Sequence, residues 1–146
     1  MSAKRKEHPQ PAVLIDTAVW EEYFRREERI FRRINELMDA SRVCSLDLII
    51  AELVEGATTD EEMKAFQDFA RIFPILQEPA GVWTQAAEWA RNLHRKGESF
   101  SLRDSYVSFM AKAHGVLLWT RSSIPSSVRK SSASGFRFFS EEGESG

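Results

Sequence analysis

The sequence predicts an α/β domain in which a short, mainly parallel central sheet lies between two layers of helices, a three-layer α/β/α sandwich. Two observations lead to this fold class. Short apolar runs typical of buried strands alternate with longer segments of helical periodicity along the 146 residues. Parallel strands need crossover connections of about a dozen residues, and the helical segments are long enough to supply them. A chain of this length is expected to form one domain around a single core.

Apolar runs bounded by polar residues are the candidate strands. The first two cover residues 12–15 and 42–45, and "FPILQE" at 73–78 is a third short strand. The run at 116–120 is apolar until its final threonine, which is typical of a central strand covered on both faces. "GFRFF" at 135–139 is a candidate edge strand.

Segments of helical periodicity connect these strands. The first begins at Thr17 and continues either as one long helix or as two helices broken near Arg26. After the second strand, Ser45 is a candidate cap for a helix that weakens at Gly56. Three further helices are predicted over residues 58–73, 81–97 and 101–115. Beyond Thr120 the chain is rich in serine and loses its periodicity, so no element is predicted there before residue 135.

Composition limits the class of protein. The formal net charge of -2 argues against a surface coated in positive charge for binding duplex nucleic acid. Cys44 is the single cysteine, which excludes an intrachain disulfide and suits a reducing cytoplasm. No apolar run approaches the roughly 20 residues that span a membrane. We therefore expect a cytoplasmic protein without a membrane partner, with a flexible basic tail at 1–11, a domain at 12–140 and a flexible acidic tail at 141–146.

Three carboxylates occupy positions that demand an explanation. Asp16 ends the first strand, and ligands of parallel α/β sheets collect at the carboxyl ends of strands. An Asp before Thr17 is also an ordinary helix cap. Glu52 lies in an apolar helical segment where a buried carboxylate needs a partner, or else it faces solvent together with Glu55. Asp104 opens the helix before the run at 116–120.

The three acids are more informative together than singly. Asp104 follows Ser101 by three residues, so by itself it is explained by a capping arrangement. Carboxylates gathered in one cleft repel each other until a cation binds, so an acidic cluster at a sheet edge is more often a metal site than a stabilising device. What counts is the set: Asp16 ends the first strand, Glu52 lies on a helix, and Asp104 opens the helix that leads into the last central strand.

Four segments carry a resemblance to a known family. They are "VLIDTAVW", "IIAELVEGA", "SLRDSYVSFMAKAHGVLLWT" and "GFRFF", in this order and separation, between residues 13 and 139. Together they resemble a PIN domain, and among PIN domains the short VapC-type toxins of bacterial toxin-antitoxin pairs. The resemblance implies the three-layer PIN fold and a metal-dependent ribonuclease with Asp16, Glu52 and Asp104 as catalytic and Mg²⁺- or Mn²⁺-binding acids. Thr17 and Thr120 match polar positions beside those acids.

The sequence departs from the family pattern after the fourth strand. Family members commonly place an Asp or Asn just after Thr120, whereas this chain has Ser122 and Ser123. Serine is a weak neutral ligand, so Ser122 is a supporting residue, and either a one-metal site or an impaired nuclease is expected. Arg103 and Arg121 are adjacent to the proposed site and are the candidates for RNA contact.

These observations predict an Mg²⁺-dependent endoribonuclease that acts as the toxin of a type II toxin-antitoxin pair. The resemblance implies RNA as substrate, a homodimer, and a small antitoxin protein bound beside the helices rich in Trp20, Phe24 and Phe31. The alternative is a catalytically impaired PIN-like module that binds RNA or a protein partner. A third hypothesis is an unrelated parallel α/β domain in which the acids are helix caps.

Overall fold

The computed structural model describes residues 10–130 and 135–142. Within these residues the chain alternates short strands with helices, as the sequence pattern predicts. The elements in order are β1 (Val13–Ile15), α1 (Thr17–Phe24), α2 (Glu28–Asp39), β2 (Val43–Cys44), α3 (Asp47–Glu55), α4 (Asp60–Ile72), α5 (Val82–Arg95), α6 (Leu102–Ala113), β3 (Leu117–Trp119) and α7 (Ser126–Arg129).

The sheet has the strand order β2-β1-β3, and both pairings are parallel. Val13, Leu14 and Ile15 of the central strand β1 are all 0% exposed. Successive side chains of a strand point to opposite faces, so helices must cover both faces of the sheet. The three-layer α/β/α fold with a short parallel central sheet is therefore confirmed.

Consecutive helices pack against each other in pairs, α1 on α2, α3 on α4 and α5 on α6. An aromatic cluster joins α1 to α4, where the Trp20 and Phe69 ring centroids lie 4.8 Å apart. Trp20 is fully buried in this cluster, whereas Phe24 is half-buried beside it. Within the described residues, every helix is too short or too polar to cross a membrane.

Local backbone geometry decides between the alternatives for the first helical segment. Arg26 has a φ of 61°, in the left-handed region that an α-helix does not use. The chain consequently forms two helices, α1 and α2, with the break where the sequence allowed one.

The predicted cap at Ser45 is wrong. The residue that precedes α3 is Leu46, which makes no side-chain capping hydrogen bond. Ser45 instead extends the end of β2, since its N–H donates to the Pro74 carbonyl and its carbonyl accepts from the Leu76 N–H. Its backbone is thus committed to an extended pairing and not to the first turn of a helix.

Two of the predicted strands form only a single β-bridge each, and one helix was not predicted. Segment 73–78 pairs with the sheet edge only at Ile75, and segment 135–139 only at Phe138. Pro74 has no N–H to extend its ladder. The serine-rich stretch contains the short helix α7, held by the fully buried Val128. A helix of one turn leaves no periodicity to detect.

The predicted tails fall mostly outside the described part of the chain. Residues 1–9 and 143–146 lie outside it, as do residues 131–134. Glu141, the first residue of the predicted acidic tail, is described and accepts a hydrogen bond of 3.0 Å from Trp119 Nε1. Cys44 is buried in the sheet, and burial raises the pKa of its thiol to about 12. This thiol therefore stays protonated at neutral pH.

Candidate functional site

Asp16 is placed by the end of the central strand. Its backbone N–H donates to the Trp119 carbonyl at 2.9 Å, which continues the pairing of β1 with β3. Its Oδ1 accepts the Thr17 N–H at 2.8 Å and so caps α1. The side chain is 5% exposed, and a carboxylate at this depth needs further partners.

Glu52 and Asp104 reach the same sheet edge from two helices. Glu52 lies on α3, which packs on α1, and Thr17 Oγ1 donates to its Oε1 at 2.5 Å. Asp104 lies in the first turn of α6, where its N–H donates to Ser101 Oγ at 3.0 Å. Its carboxylate is free of this cap and points to the centre of the site.

The guanidinium of Arg103 lies between the three carboxylates. Its Nη2 donates to Asp16 Oδ1 and to Glu52 Oε1, each at 2.6 Å. Its Nη1 donates to Asp16 Oδ2 and to Asp104 Oδ1, each at 3.1 Å, and its Nε donates to Glu52 Oε2 at 2.9 Å. Three acids that are far apart in sequence thus converge on one cation supplied by the chain itself.

The carboxylates and the guanidinium stabilise each other's charged forms. The hydrogen bond from Arg103, which outweighs the effect of burial, lowers the pKa of Glu52 below its usual value. Burial alone would lower the pKa of Arg103, but hydrogen bonds to Glu52 and Asp16 outweigh it and raise that pKa. Both groups are therefore charged at neutral pH, and the four side chains together carry a formal charge of -2, from three carboxylates and one guanidinium.

Polar residues after β3 complete the rim of the site. Thr120 Oγ1 donates to Asp16 Oδ2 at 2.7 Å. Ser122 donates its N–H to Thr120 Oγ1 at 3.0 Å and its hydroxyl to Asp104 Oδ1 at 3.1 Å. The structure thus brings together all of the sequence-predicted acids and their supporting hydroxyls, and all of these residues except Thr120 line a cleft of about 340 Å³.

Arg121 is not part of this cluster. Its Nε and Nη2 donate to the two carboxylate oxygens of Glu22 at 2.7 and 2.8 Å, and its Nη1 donates to Glu141. The hydrogen bond to Glu22 is the main reason that the pKa of Arg121 is raised. Sequence reasoning missed both acidic partners, because Glu22 and Glu141 are remote from Arg121 in the chain and follow no motif.

The ion-pairing role of Arg103 was also missed. The available signal was its position directly before Asp104, because a cation next to one of three converging acids would be drawn into their field. From the sequence alone, Arg103 is predicted to contact RNA instead.

The donor set is chemically suited to a hard cation. Carboxylate and hydroxyl oxygens are the ligands that Mg²⁺ and Mn²⁺ prefer, and Asp16, Glu52 and Asp104 present them from rigid elements. In residues 10–130 and 135–142, however, no group of three acidic, histidine or cysteine side chains has the spacing of a formed metal site. The carboxylates are spread around the guanidinium of Arg103, which lies at their centre.

Comparison with known proteins decides the family. A family model described as PIN domain matches residues 13–124, which is more than half of the chain. The chain belongs to the PIN domain family. The family predicted from the four motifs is confirmed.

Solved structures share this PIN fold. VapBC-1 from nontypeable Haemophilus influenzae matches with a TM-score of 0.64 and 14% identity, covering 90% of this chain and 99% of that chain. VapBC2 from Rickettsia felis, bound to a DNA fragment from its promoter, matches with a TM-score of 0.59 and 17% identity, covering 76% of this chain and 87% of that chain. A toxin-antitoxin complex from Klebsiella pneumoniae matches with a TM-score of 0.59 and 15% identity, again covering 76% of this chain and 87% of that chain. No curated protein matches the sequence. At these identities the likeness establishes the fold.

Proposed function

We propose that this PIN domain is a metal-dependent endoribonuclease, the toxin of a type II toxin-antitoxin pair acting in the cytoplasm. One observation carries the proposal. Carboxylates from the end of β1, from α3 and from the first turn of α6 meet at the carboxyl edge of a parallel sheet, where such folds bind ligands. Membership of the PIN family adds a reason to assign nuclease chemistry to that edge.

In this proposal the acids hold Mg²⁺ or Mn²⁺. The bound ion activates a water and neutralises charge that develops on the phosphodiester. Asp16 is the central ligand, oriented by the hydroxyl of Thr120 and by the N–H of Thr17. Glu52 is oriented by the hydroxyl of Thr17, and Asp104 by that of Ser122. These hydroxyls fix the carboxylates in place, so the site needs little rearrangement of the backbone.

RNA binding requires cations near the cleft, and Arg103 and Arg121 are the proposed phosphate contacts. Both are ion-paired within the chain, Arg103 with the three acids and Arg121 with Glu22 and Glu141. Each must therefore exchange a carboxylate for a phosphate, which weakens binding but leaves it dependent on salt concentration.

The proposed protein partners are a second copy of the chain and a small antitoxin. The toxin-antitoxin complex among the structural neighbours supports this expectation. Trp20 is fully buried and is excluded from such a contact, so the aromatic residues available beside α1 are Phe24 and Phe31. A shallow groove of about 180 Å³ lies beside α1 and is lined by Phe24, Leu53 and Phe66 and by the charged residues Glu21, Arg25 and Glu62. It offers a partner segment both apolar and charged contacts.

A cleavage assay on defined single-stranded RNAs tests the nuclease proposal. We expect cleavage with Mg²⁺ and none with a chelator, and we expect Asp16→Asn to reduce the rate on the order of 100-fold or more. Asp39→Asn, the same change at an exposed residue at the end of α2, is the control and should cleave like the wild type. Equal cleavage by both variants would reject the acidic site.

A second candidate is favoured by one specific feature. Ser122 stands where the family commonly has Asp or Asn, and Arg103 neutralises part of the remaining charge. Such a site fits an impaired module that binds RNA or a protein without cleaving it. RNA binding by the wild type with no Mg²⁺-dependent cleavage under any metal concentration would select this function over the first.

A further inference from the structure

The hydrogen bonds of Arg103 account for its whole donor capacity. A guanidinium has five N–H groups, and those of Arg103 donate to Thr17 Oγ1 at 3.2 Å and to five carboxylate oxygens. These are both oxygens of Asp16, both oxygens of Glu52 and Oδ1 of Asp104. Five of the six carboxylate oxygens in the cluster therefore already bind a cation that belongs to the chain.

We propose that Arg103 is a built-in competitor of the metal ion and holds the acidic site in a metal-free state. The ion and the guanidinium need the same carboxylate oxygens, so one must leave before the other can bind. This inference rests on the proposed function, because it concerns the metal site assigned there.

Charge and geometry support the competition. A divalent ion coordinated by Asp16 and Glu52 would lie within a few ångströms of the guanidinium, where two cations repel strongly in a partly desolvated cleft. Hydrogen bonds of 2.6 Å to both acids also have to break. The ion therefore binds more weakly, because displacing Arg103 costs free energy.

The side chain has a route out of the cluster. Arg103 is 29% exposed and lines the open cleft together with the acids, so the guanidinium can rotate outward without disturbing the core. Arg103 occupies the second position of α6, directly after Leu102, which is itself 46% exposed. Displacement therefore needs a change of side-chain rotamer and leaves the helix intact.

Calorimetric titration with Mg²⁺ alone, without RNA, tests the competition. We expect Arg103→Gln to bind Mg²⁺ about tenfold more tightly than the wild type, a coupling of ordinary size between two mutually exclusive cations. Its metal-free form should melt at a lower temperature than the wild type, because three carboxylates then repel each other. Arg32→Gln removes the same charge from an exposed ion pair with Glu28 on α2, and it should bind Mg²⁺ like the wild type.

A measurement on the unaltered protein keeps the test independent of any folding defect in the variant. The Nε–H of Arg103 donates to Glu52, so its NMR signal should be protected from exchange with solvent in the absence of metal. Titration with Mg²⁺ should abolish that protection as the guanidinium leaves the carboxylates. Assignment of the signal follows from its loss in Arg103→Gln.

The outcomes separate this inference from the function on which it rests. Mg²⁺ binding of equal strength in wild type and Arg103→Gln, or binding that leaves the Arg103 signal protected, overturns the competition and leaves the nuclease proposal standing. If neither protein binds Mg²⁺ or Mn²⁺, the metal site of the proposed function is rejected. Tighter binding by Arg103→Gln together with release of the signal supports both.

Discussion

At the residue scale, Asp16 combines a structural role with the proposed chemical one. Its Oδ1 caps α1 through the Thr17 N–H, and both of its oxygens bind Arg103. Asn is as good an N-cap as Asp, but its neutral side chain cannot balance a cation. Asp16→Asn therefore separates the two roles, since it preserves the start of the helix while removing the charge.

The pKa of Glu52 predicts a pH-dependent contribution to stability. Its pKa is lowered from the usual 4.5, so the contribution is fully present above pH 4.5 and is lost as the pH falls through the folded-state pKa. We expect Glu52→Gln to reduce the free energy of unfolding at pH 7 by about 1–2 kcal/mol. The difference from wild type should shrink below pH 4.5, as measured by urea unfolding across the pH range.

Glu55→Gln provides the control for this measurement. Glu55 is exposed on the same helix, three residues after Glu52, so its substitution should change stability little at any pH. A difference between Glu52→Gln and wild type that grows toward acid pH would contradict the ion pair with Arg103.

Ser122 allows a gain of charge to be tested. Its hydroxyl donates to Asp104 Oδ1 at 3.1 Å, so Ser122→Asp would place a fourth carboxylate beside the cluster. We expect tighter Mg²⁺ binding and faster RNA cleavage than in wild type, measured by calorimetry and by product formation. Ser123→Asp, one residue further on and exposed, adds the same charge and is the control. Unchanged metal binding in Ser122→Asp would mean that three acids complete the site.

The sequence predicted the acids better than the cation between them. Asp16 and Asp104 stand beside a strand end and a helix start, so local pattern alone places them near a sheet edge. The direction of a long flexible side chain such as Arg103 depends on what the tertiary fold puts within its reach. Glu52, brought close by the packing of α3 on α1, supplies two of those contacts and is 51 residues away.

At the element scale, α6 positions the site through its N-terminus. Ser101 Oγ accepts the Asp104 N–H, so this cap fixes the first turn, which carries both Arg103 and Asp104. The helix then leads through Gly115, at a φ of 66°, into β3. The cap thus fixes the end of α6 that carries the two charged residues, and β3 anchors the other end of the helix to the sheet.

Two N-caps offer a matched test of this role. Ser101→Ala should lower the free energy of unfolding by about 1 kcal/mol and also weaken Mg²⁺ binding, because the first turn of α6 frays. Thr59→Ala removes the corresponding cap of α4, where Thr59 Oγ1 accepts the Glu62 N–H at 3.0 Å. Thr59→Ala should lower the free energy of unfolding by a similar amount and leave metal binding unchanged, as denaturant unfolding and calorimetry can measure. Equal losses of metal binding in both variants would mean that Ser101 affects metal binding only through the overall stability of the domain.

Element boundaries were predicted where a local signal exists. The starts of α4 and α6, directly after the capping residues Thr59 and Ser101, follow from those caps, and the β1 and β3 strands follow from apolar runs. The segment at 73–78 is apolar enough for a strand, yet the sheet accepts it at a single bridge. Whether an edge segment pairs further depends on tertiary position, which local composition does not encode.

At the scale of the whole molecule, the acidic cluster joins parts of the chain that are distant in sequence. Asp16 follows β1, Glu52 lies on α3, and Arg103 and Asp104 begin α6. Thr120 and Ser122 add the segment after β3. An ion bound by these groups would therefore bind the folded chain and not the unfolded one, so it would stabilise the entire domain.

Thermal unfolding with increasing Mg²⁺ tests this linkage. The melting temperature of the wild type should rise continuously with the metal concentration, and the gain reaches about 2.7 kcal/mol when that concentration is 100 times the dissociation constant. Asp16→Asn should lose the rise, because Asp16 contributes two of the cluster's oxygens. Potassium chloride at equal ionic strength corrects for screening of surface charge.

Arg103 stabilises the metal-free fold by occupying the same oxygens. The melting temperature of the wild type should therefore rise less than that of Arg103→Gln at every metal concentration. An equal gain in these two proteins would mean that the ion binds without displacing the guanidinium.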